Sequence, residues 1–172
     1  MRRLFGAVVA GVLIALTLGA PARAARPGGS GWVHVPSPPF DYPAGLTCDF
    51  GVHGEPIVDK VYYRTLTTTP DGTARTEAAV GPLVYRLTNV STGATVEGDA
   101  SSSSLITHHD DGALTYRLHG PLLLGIREGR SNLPGGLYVV DGVAWRLDIS
   151  ADNFRTISGA YRIAQDVCAD LS

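Results

Sequence analysis

From Leu46 onward the apolar residues fall in short runs rich in Val, Ile, Thr, Tyr and Leu. No stretch keeps a helical period over three turns without a Gly, Pro or β-branched interruption. Pro70-Asp71-Gly72, Ser91-Thr92-Gly93, Asp110-Asp111-Gly112, Pro134-Gly135-Gly136 and Asp141-Gly142 separate the runs as hairpin turns do. Ten runs result, near 47–53, 57–69, 73–80, 82–91, 94–108, 113–119, 121–127, 136–140, 143–149 and 156–167. With some of them merging or failing, the pattern predicts about eight strands.

Five of the runs carry an aromatic-Arg-X triplet: Tyr63-Arg64-Thr65, Tyr85-Arg86-Leu87, Tyr116-Arg117-Leu118, Trp145-Arg146-Leu147 and Tyr161-Arg162-Ile163. On a strand the outer two residues share one face and the arginine takes the other. The plain reading puts the aromatic and aliphatic side chains in a core and the arginines in water. The alternative puts the arginines in a barrel lumen as an anion site, against the cost of burying unpaired charge.

Antiparallel strands joined by short turns either pack as two sheets or close into a barrel, and closure removes exposed edges. The expectation is an all-β domain over residues 46–172, a single antiparallel β-barrel, with a sandwich as the alternative.

The beginning of the chain has a different pattern. Met1-Arg2-Arg3 precedes an apolar run from Leu4 to Ala20, and Ala20-Pro21-Ala22 and Ala22-Arg23-Ala24 are small-x-small cleavage sites. This reads as a signal peptide over residues 1–24 of a secreted, extracellular protein, with a retained anchor as the alternative. Residues 25–45 hold five of the eleven prolines and form a Pro/Gly-rich leader or arm, which cannot join a helix or a central strand.

At 172 residues and 44% apolar, the chain suits one core. Arg2, Arg3 and Arg23 leave with the signal segment, which turns 14 basic and 16 acidic side chains into 11 and 16, a formal charge of −5. An acidic chain without a Lys/Arg cluster lacks the footprint that nucleic-acid backbones require. The 13 arginines against the single Lys60, with abundant Ala, Gly and Pro, match a GC-rich bacterial source.

Cys48 and Cys168 are the two cysteines, and in an exported chain they are expected to pair, two buried thiols being the alternative. A bridge between the first and last strands favours closure. It also raises a conflict, because Cys168 has the strand parity of Arg162. A bulge near Gln165-Asp166, or an irregular end after Ala164, would remove it.

Pro43-Ala44-Gly45-Leu46-Thr47-Cys48-Asp49-Phe50, Thr88-Asn89-Val90-Ser91-Thr92-Gly93, Pro134-Gly135-Gly136-Leu137-Tyr138 with Asp141-Gly142, and Cys168-Ala169-Asp170-Leu171 resemble a group of small secreted proteins of high-GC Gram-positive bacteria. The resemblance covers most of the exported chain. It implies export, a compact β domain and the Cys48–Cys168 pair, and carries over no activity and no catalytic residue.

Candidate chemistry is sparse. His108-His109-Asp110-Asp111 is the densest set of metal-ligand types, but adjacent histidines on a strand face opposite ways, and a strand end running into an Asp-Asp-Gly turn explains them. His53 and Glu55, with Asp59 nearby, could form an acid/base pair, although Gly54 and Pro56 suggest a turn. His119, Glu97 and Asp99 stand alone in the sequence. Asn89-Val90-Ser91 fits a glycosylation sequon and reads as a surface turn, and Leu133-Pro134-Gly135-Gly136 lacks the Thr and tail of a sortase signal. Nucleophile-elbow, phosphate-loop, Cys-x-x-Cys and His-Glu-x-x-His signatures are absent.

The leading expectation is a non-enzymatic monomeric binding domain for a small-molecule ligand or a cell-envelope component, without metal or cofactor. A small-barrel enzyme (cyclase, isomerase or hydrolase) would need Arg64, Arg86, Glu97 or His119 to converge on one pocket. An envelope protein would use residues 25–45 as a tether.

Overall fold

The computed structural model describes residues 31–172; the expected signal segment and residues 25–30 of the arm lie outside the described residues. Twelve strands and one helical turn follow in chain order: β1 (Val33–His34), β2 (Phe40–Tyr42), β3 (Val52–Asp59), β4 (Tyr62–Thr68), β5 (Ala74–Val80), β6 (Leu83–Asn89), β7 (Thr95–Asp99), β8 (Ser103–His108), β9 (Leu114–His119), β10 (Leu122–Ile126), β11 (Gly136–Ile149), β12 (Arg155–Asp166) and α1 (Val167–Asp170). All named strand pairs are antiparallel.

The all-β expectation holds, but the expected single barrel is not what the strands make. One sheet runs β1-β4-β5-β8-β9-β11, with β10 also along β11 and β12 paired to β11, and a second sheet runs β2-β3-β6-β7. No pairing closes either sheet among the described residues, and two sheets suggest the sandwich alternative. The disulfide explains why the closure argument misled. Cys48 lies in the loop before β3 and Cys168 in α1, with Cα atoms 5.4 Å apart, so the bridge ties the smaller sheet to the end of the larger one.

Around that tie Val52, Tyr85 and Leu87 of the smaller sheet pack with Leu137 of β11 and with Val167 and Leu171, all buried. A second cluster joins Leu118, Leu124, Ile126, Val140, Trp145, Leu147 and Ile157 within the larger sheet. Asn89, only 2% exposed, donates from Nδ2 to the Leu171 carbonyl at 3.0 Å and so anchors the C-terminus. Its Oδ1 accepts from the Ser91 amide at 2.9 Å, so the sequon turn is a surface one whose Asn side chain is spent internally.

Three hairpins share one device. Thr69–Thr73, His109–Ala113 and Ser150–Phe154 each close with the first residue's amide bonded to the last residue's carbonyl, and Gly72, Gly112 and Asn153 take positive φ at the fourth position. A residue tolerant of left-handed backbone is what such loops require. Asp141-Gly142 departs from the turn reading: it lies inside β11, where Val143 is the extra residue between Gly142↔Tyr161 and Ala144↔Ala160. Any Cβ on Gly142 would meet the Ala160 carbonyl oxygen. Gly54 and Pro56 are likewise within β3, with Phe40 packed on Gly54 and a register shift between Pro56 and Val58.

The parity conflict at the C-terminus resolves as a bulge. Val139 pairs with Gln165 but Val140 with Ile163, leaving Ala164 unpaired before α1 begins. The arm from residue 31 is built in as edge pairing: β1 on β4 and β2 on β3, with Phe40 and Tyr42 against the Tyr85 core and the Tyr85 hydroxyl donating to the Pro38 carbonyl at 3.2 Å.

Candidate functional site

All five triplet arginines are exposed, whereas Tyr63, Tyr85, Tyr116, Trp145 and Tyr161 are buried or half-buried, so the plain reading of the triplets holds except at Ile163, which is 40% exposed. Strand alternation has a further consequence on the larger sheet. Its cross-strand register sets Arg64, Ala78, Leu105, Arg117, Arg146 and Ser158 in one row on the solvent face. The neighbouring row of that face, Thr67, Thr76, Thr107, Thr115, Asp148 and Thr156, is wholly polar.

Over the middle of the first row, from Ala78 to Arg146, lies an open depression of about 700 Å³. Ala78, Val80 and Leu105 supply its apolar floor, Arg117, His119 and Ser103 its polar groups, and Trp32 and Val143 also line it. Trp32 is 47% exposed and Val143 73%, which is unusual for large apolar side chains in company. Val143 shares strand parity with Trp145, which is 2% exposed, and would be buried in a regular strand; the bulge turns it outward. The bulge is held by a bond of 2.7 Å between His119 Nδ1 and the Val143 carbonyl, and by the Trp145 indole donating to the Gly120 carbonyl at 3.1 Å.

Charge in the depression is uneven. Arg146 bonds Asp148 through Nε at 2.6 Å and Nη2 at 2.7 Å. That pairing holds the Asp148 carboxyl below its ordinary range, with Thr115 adding a hydrogen bond and burial opposing both. Arg86 and Arg162 likewise pair with Glu55 and Asp141, each at 2.8 Å. Arg117 has no carboxylate within ion-pair distance among the described residues, although it stands opposite Arg146 in the register.

Beside Arg146 a smaller recess of about 310 Å³ holds a hydrogen-bond chain. Thr115 Oγ1 donates to Asp148 Oδ1 at 2.7 Å, and His109 Nε2 lies 3.0 Å from the same hydroxyl. Thr115 has one proton to give, so His109 donates to it at Nε2.

The other sequence candidates do not assemble. His108 turns to Glu77 at 2.9 Å while His109 turns to Thr115, so the pair faces two ways. Asp110 meets Arg75 at 2.8 Å and Asp111 accepts from the Ala113 amide at 3.0 Å, as turn residues do. His53 pairs with Asp41 at 2.7 Å rather than with Glu55, and Asp59 lies 3.6 Å from His34. Arg86 and Glu97 face each other on the smaller sheet, whereas Arg64 and His119 are on the larger one. Among the described residues no three His, Cys, Asp or Glu side chains form a metal-binding group. Trp32 and Val143 escaped the sequence reading, because neither carries chemistry and the bulge that exposes Val143 was read as a turn.

No protein-family model, no curated protein and no solved structure matches this chain. The site therefore has to be interpreted from its own geometry.

Proposed function

We propose that this is an exported, non-enzymatic binding domain that takes a small ligand in the depression on the open face of its larger sheet. The observation that carries this reading is the apolar floor of Ala78, Val80 and Leu105 lined also by exposed Trp32 and Val143, with a few polar groups at its side. A volume of about 700 Å³ falls within the range of small-molecule sites, which combine apolar lining with a few fixed polar groups. The Cys48–Cys168 bridge is compatible with an oxidising exterior, and the apolar run 4–20 followed by small-x-small sites is the sequence pattern of an export signal. A closed barrel with a lumen is not required, since the ligand lies on a sheet face.

Native and then denaturing mass spectrometry of the protein from culture medium tests this. A mass excess that is lost on denaturation, and lost when Val143→Asp is introduced, supports it. A clean apo mass, with no change in Trp32 fluorescence across a panel of small amphiphiles, refutes it. Trp145 is buried, so the Trp32→Phe variant assigns the signal.

One observation favours a second reading, an enzyme acting on a small organic substrate. The Asp148–Thr115–His109 chain holds an imidazole in place at the recess, which is the arrangement of a positioned proton-transfer group. A pH–rate profile that His109→Gln abolishes, with any substrate the mass excess identifies, would move the weight to it.

A further inference from the structure

We infer that the ligand is a single-chain amphiphile with one anionic head, of the fatty-carboxylate class, bound with its head on Arg117 and its tail along Ala78 and Leu105 toward Trp32. This rests on the ligand-binding reading above and names the chemistry of the same site.

Three observations select that class. The apolar floor calls for a tail. Arg117 supplies a permanent positive charge at one side of that floor, and no carboxylate of the described residues neutralises it. The opposing Arg146 is already neutralised by Asp148, to which it donates two hydrogen bonds, so the site offers one uncompensated arginine and not two. His119 is held aside by the hydrogen bond that its Nδ1 donates to the Val143 carbonyl. Arg64, also without a carboxylate partner among the described residues, is not part of the lining. An exported chain of net negative charge would repel anions in general, so a local, unpaired guanidinium on apolar ground discriminates by position.

The register gives the length. Leu105 and Ala78 lie one and two strands from Arg117. At roughly 4.8 Å per strand, the floor runs about 10 Å from Arg117 to Ala78, which a medium-length alkyl chain lying across the strands covers.

Binding of dodecanoate, dodecanol and dodecyltrimethylammonium below their micelle concentrations, read from Trp32 fluorescence and calorimetry, tests the inference. Dodecanoate should bind roughly tenfold more tightly than dodecanol, and the cation least. Arg117→Gln should bring dodecanoate to the level of dodecanol with an unchanged thermal midpoint, since the side chain is exposed and unpaired, and Arg117→Lys should retain part of the preference. Equal binding of acid and alcohol, or an unchanged preference in Arg117→Gln, overturns the inference while leaving the depression as a ligand site. Failure of all three probes, with Val143→Asp indistinguishable from the wild type, overturns the ligand-binding reading itself. Binding to phosphatidylglycerol vesicles without binding to monomeric dodecanoate overturns the inference in favour of a membrane surface.

Discussion

Removing the covalent tie between the sheets, by Cys48→Ala with Cys168→Ala, should cost about 5 kcal/mol of stability. The bridge spans 120 residues of sequence, and the chain-entropy relation for a closed loop of that size gives a little under 5 kcal/mol at room temperature. That is comparable with the whole net stability of many domains. The folded state has independent hold on the same region, because Val167 and Leu171 are fully buried and Asn89 bonds the Leu171 carbonyl, so α1 should keep its place in the native protein. The effect therefore falls on the unfolded chain, and circular dichroism of the native double variant should match that of the wild type. With a urea slope of roughly 2 kcal/mol/M, the unfolding midpoint should drop by about 2–3 M. A drop below about 0.5 M would refute the reasoning, because it would mean that the ends of the unfolded chain are already held together without the bridge.

Other consequences follow from single contacts. The Asn132 amide donates to the Ile157 carbonyl and accepts its N–H, both at 2.8 Å, capping the edge of β12, so Asn132→Ala should cost about 1 kcal/mol and speed amide exchange at Ile157; unchanged exchange would sink the capping role. Gly159 has φ +90° and a Cβ there would stand 2.9 Å from the Ala144 carbonyl oxygen, so Gly159→Ala should lose about 1–2 kcal/mol, seen as a lower thermal midpoint. The Asp148 carboxyl is held below its unfolded value near 3.9, so the folded state binds fewer protons; its contribution is present above that pH and is lost as pH falls through the folded value. Thermal midpoints measured from neutral pH down to about pH 2 should therefore fall less steeply below pH 4 for Asp148→Asn than for the wild type. Val143→Ser should leave stability within about 0.5 kcal/mol, since the side chain is 73% exposed, yet weaken ligand binding; a large stability loss would show that Val143 serves packing.

Most strands were legible because each carries a period of two bounded by turn residues, as at 83–89 and 114–119, where run and strand nearly coincide. Twelve strands form where about eight were expected, and several of the misplaced boundaries are places where a strand is irregular. The run 94–108 is two strands broken at Ala100–Ser102, and Asp141-Gly142 is a bulge that joins two expected strands into one of 14 residues. A Gly after an Asp looks the same in a turn and in a bulge, and only the pairing partner distinguishes them. The barrel expectation failed on similar ground, because Cys48 precedes the strand it was assigned to and its bridge crosses between sheets. Of the candidate site, the outward direction of Arg117 was legible from parity, but its unpaired state was not. Pairing depends on which strand lies alongside, and the long β11 borders β9, β10 and β12.

The irregularities and the site coincide, and that is the better argument for function. Strict alternation would have buried Val143 with Trp145 and Leu147, adding to the core cluster at no evident cost. Instead one inserted residue, a glycine pressed against the opposite carbonyl, a second glycine at positive φ and a histidine bond to the bulged carbonyl hold an apolar side chain in water beside an exposed tryptophan. The inserted residue, the two glycines and the outward Val143 each weaken the sheet or give up burial, and the histidine bond stabilises that arrangement rather than the regular one. Local rules broken together at one place, around an apolar floor with an unpaired arginine, are what a ligand site produces when selection for binding outweighs selection for stability.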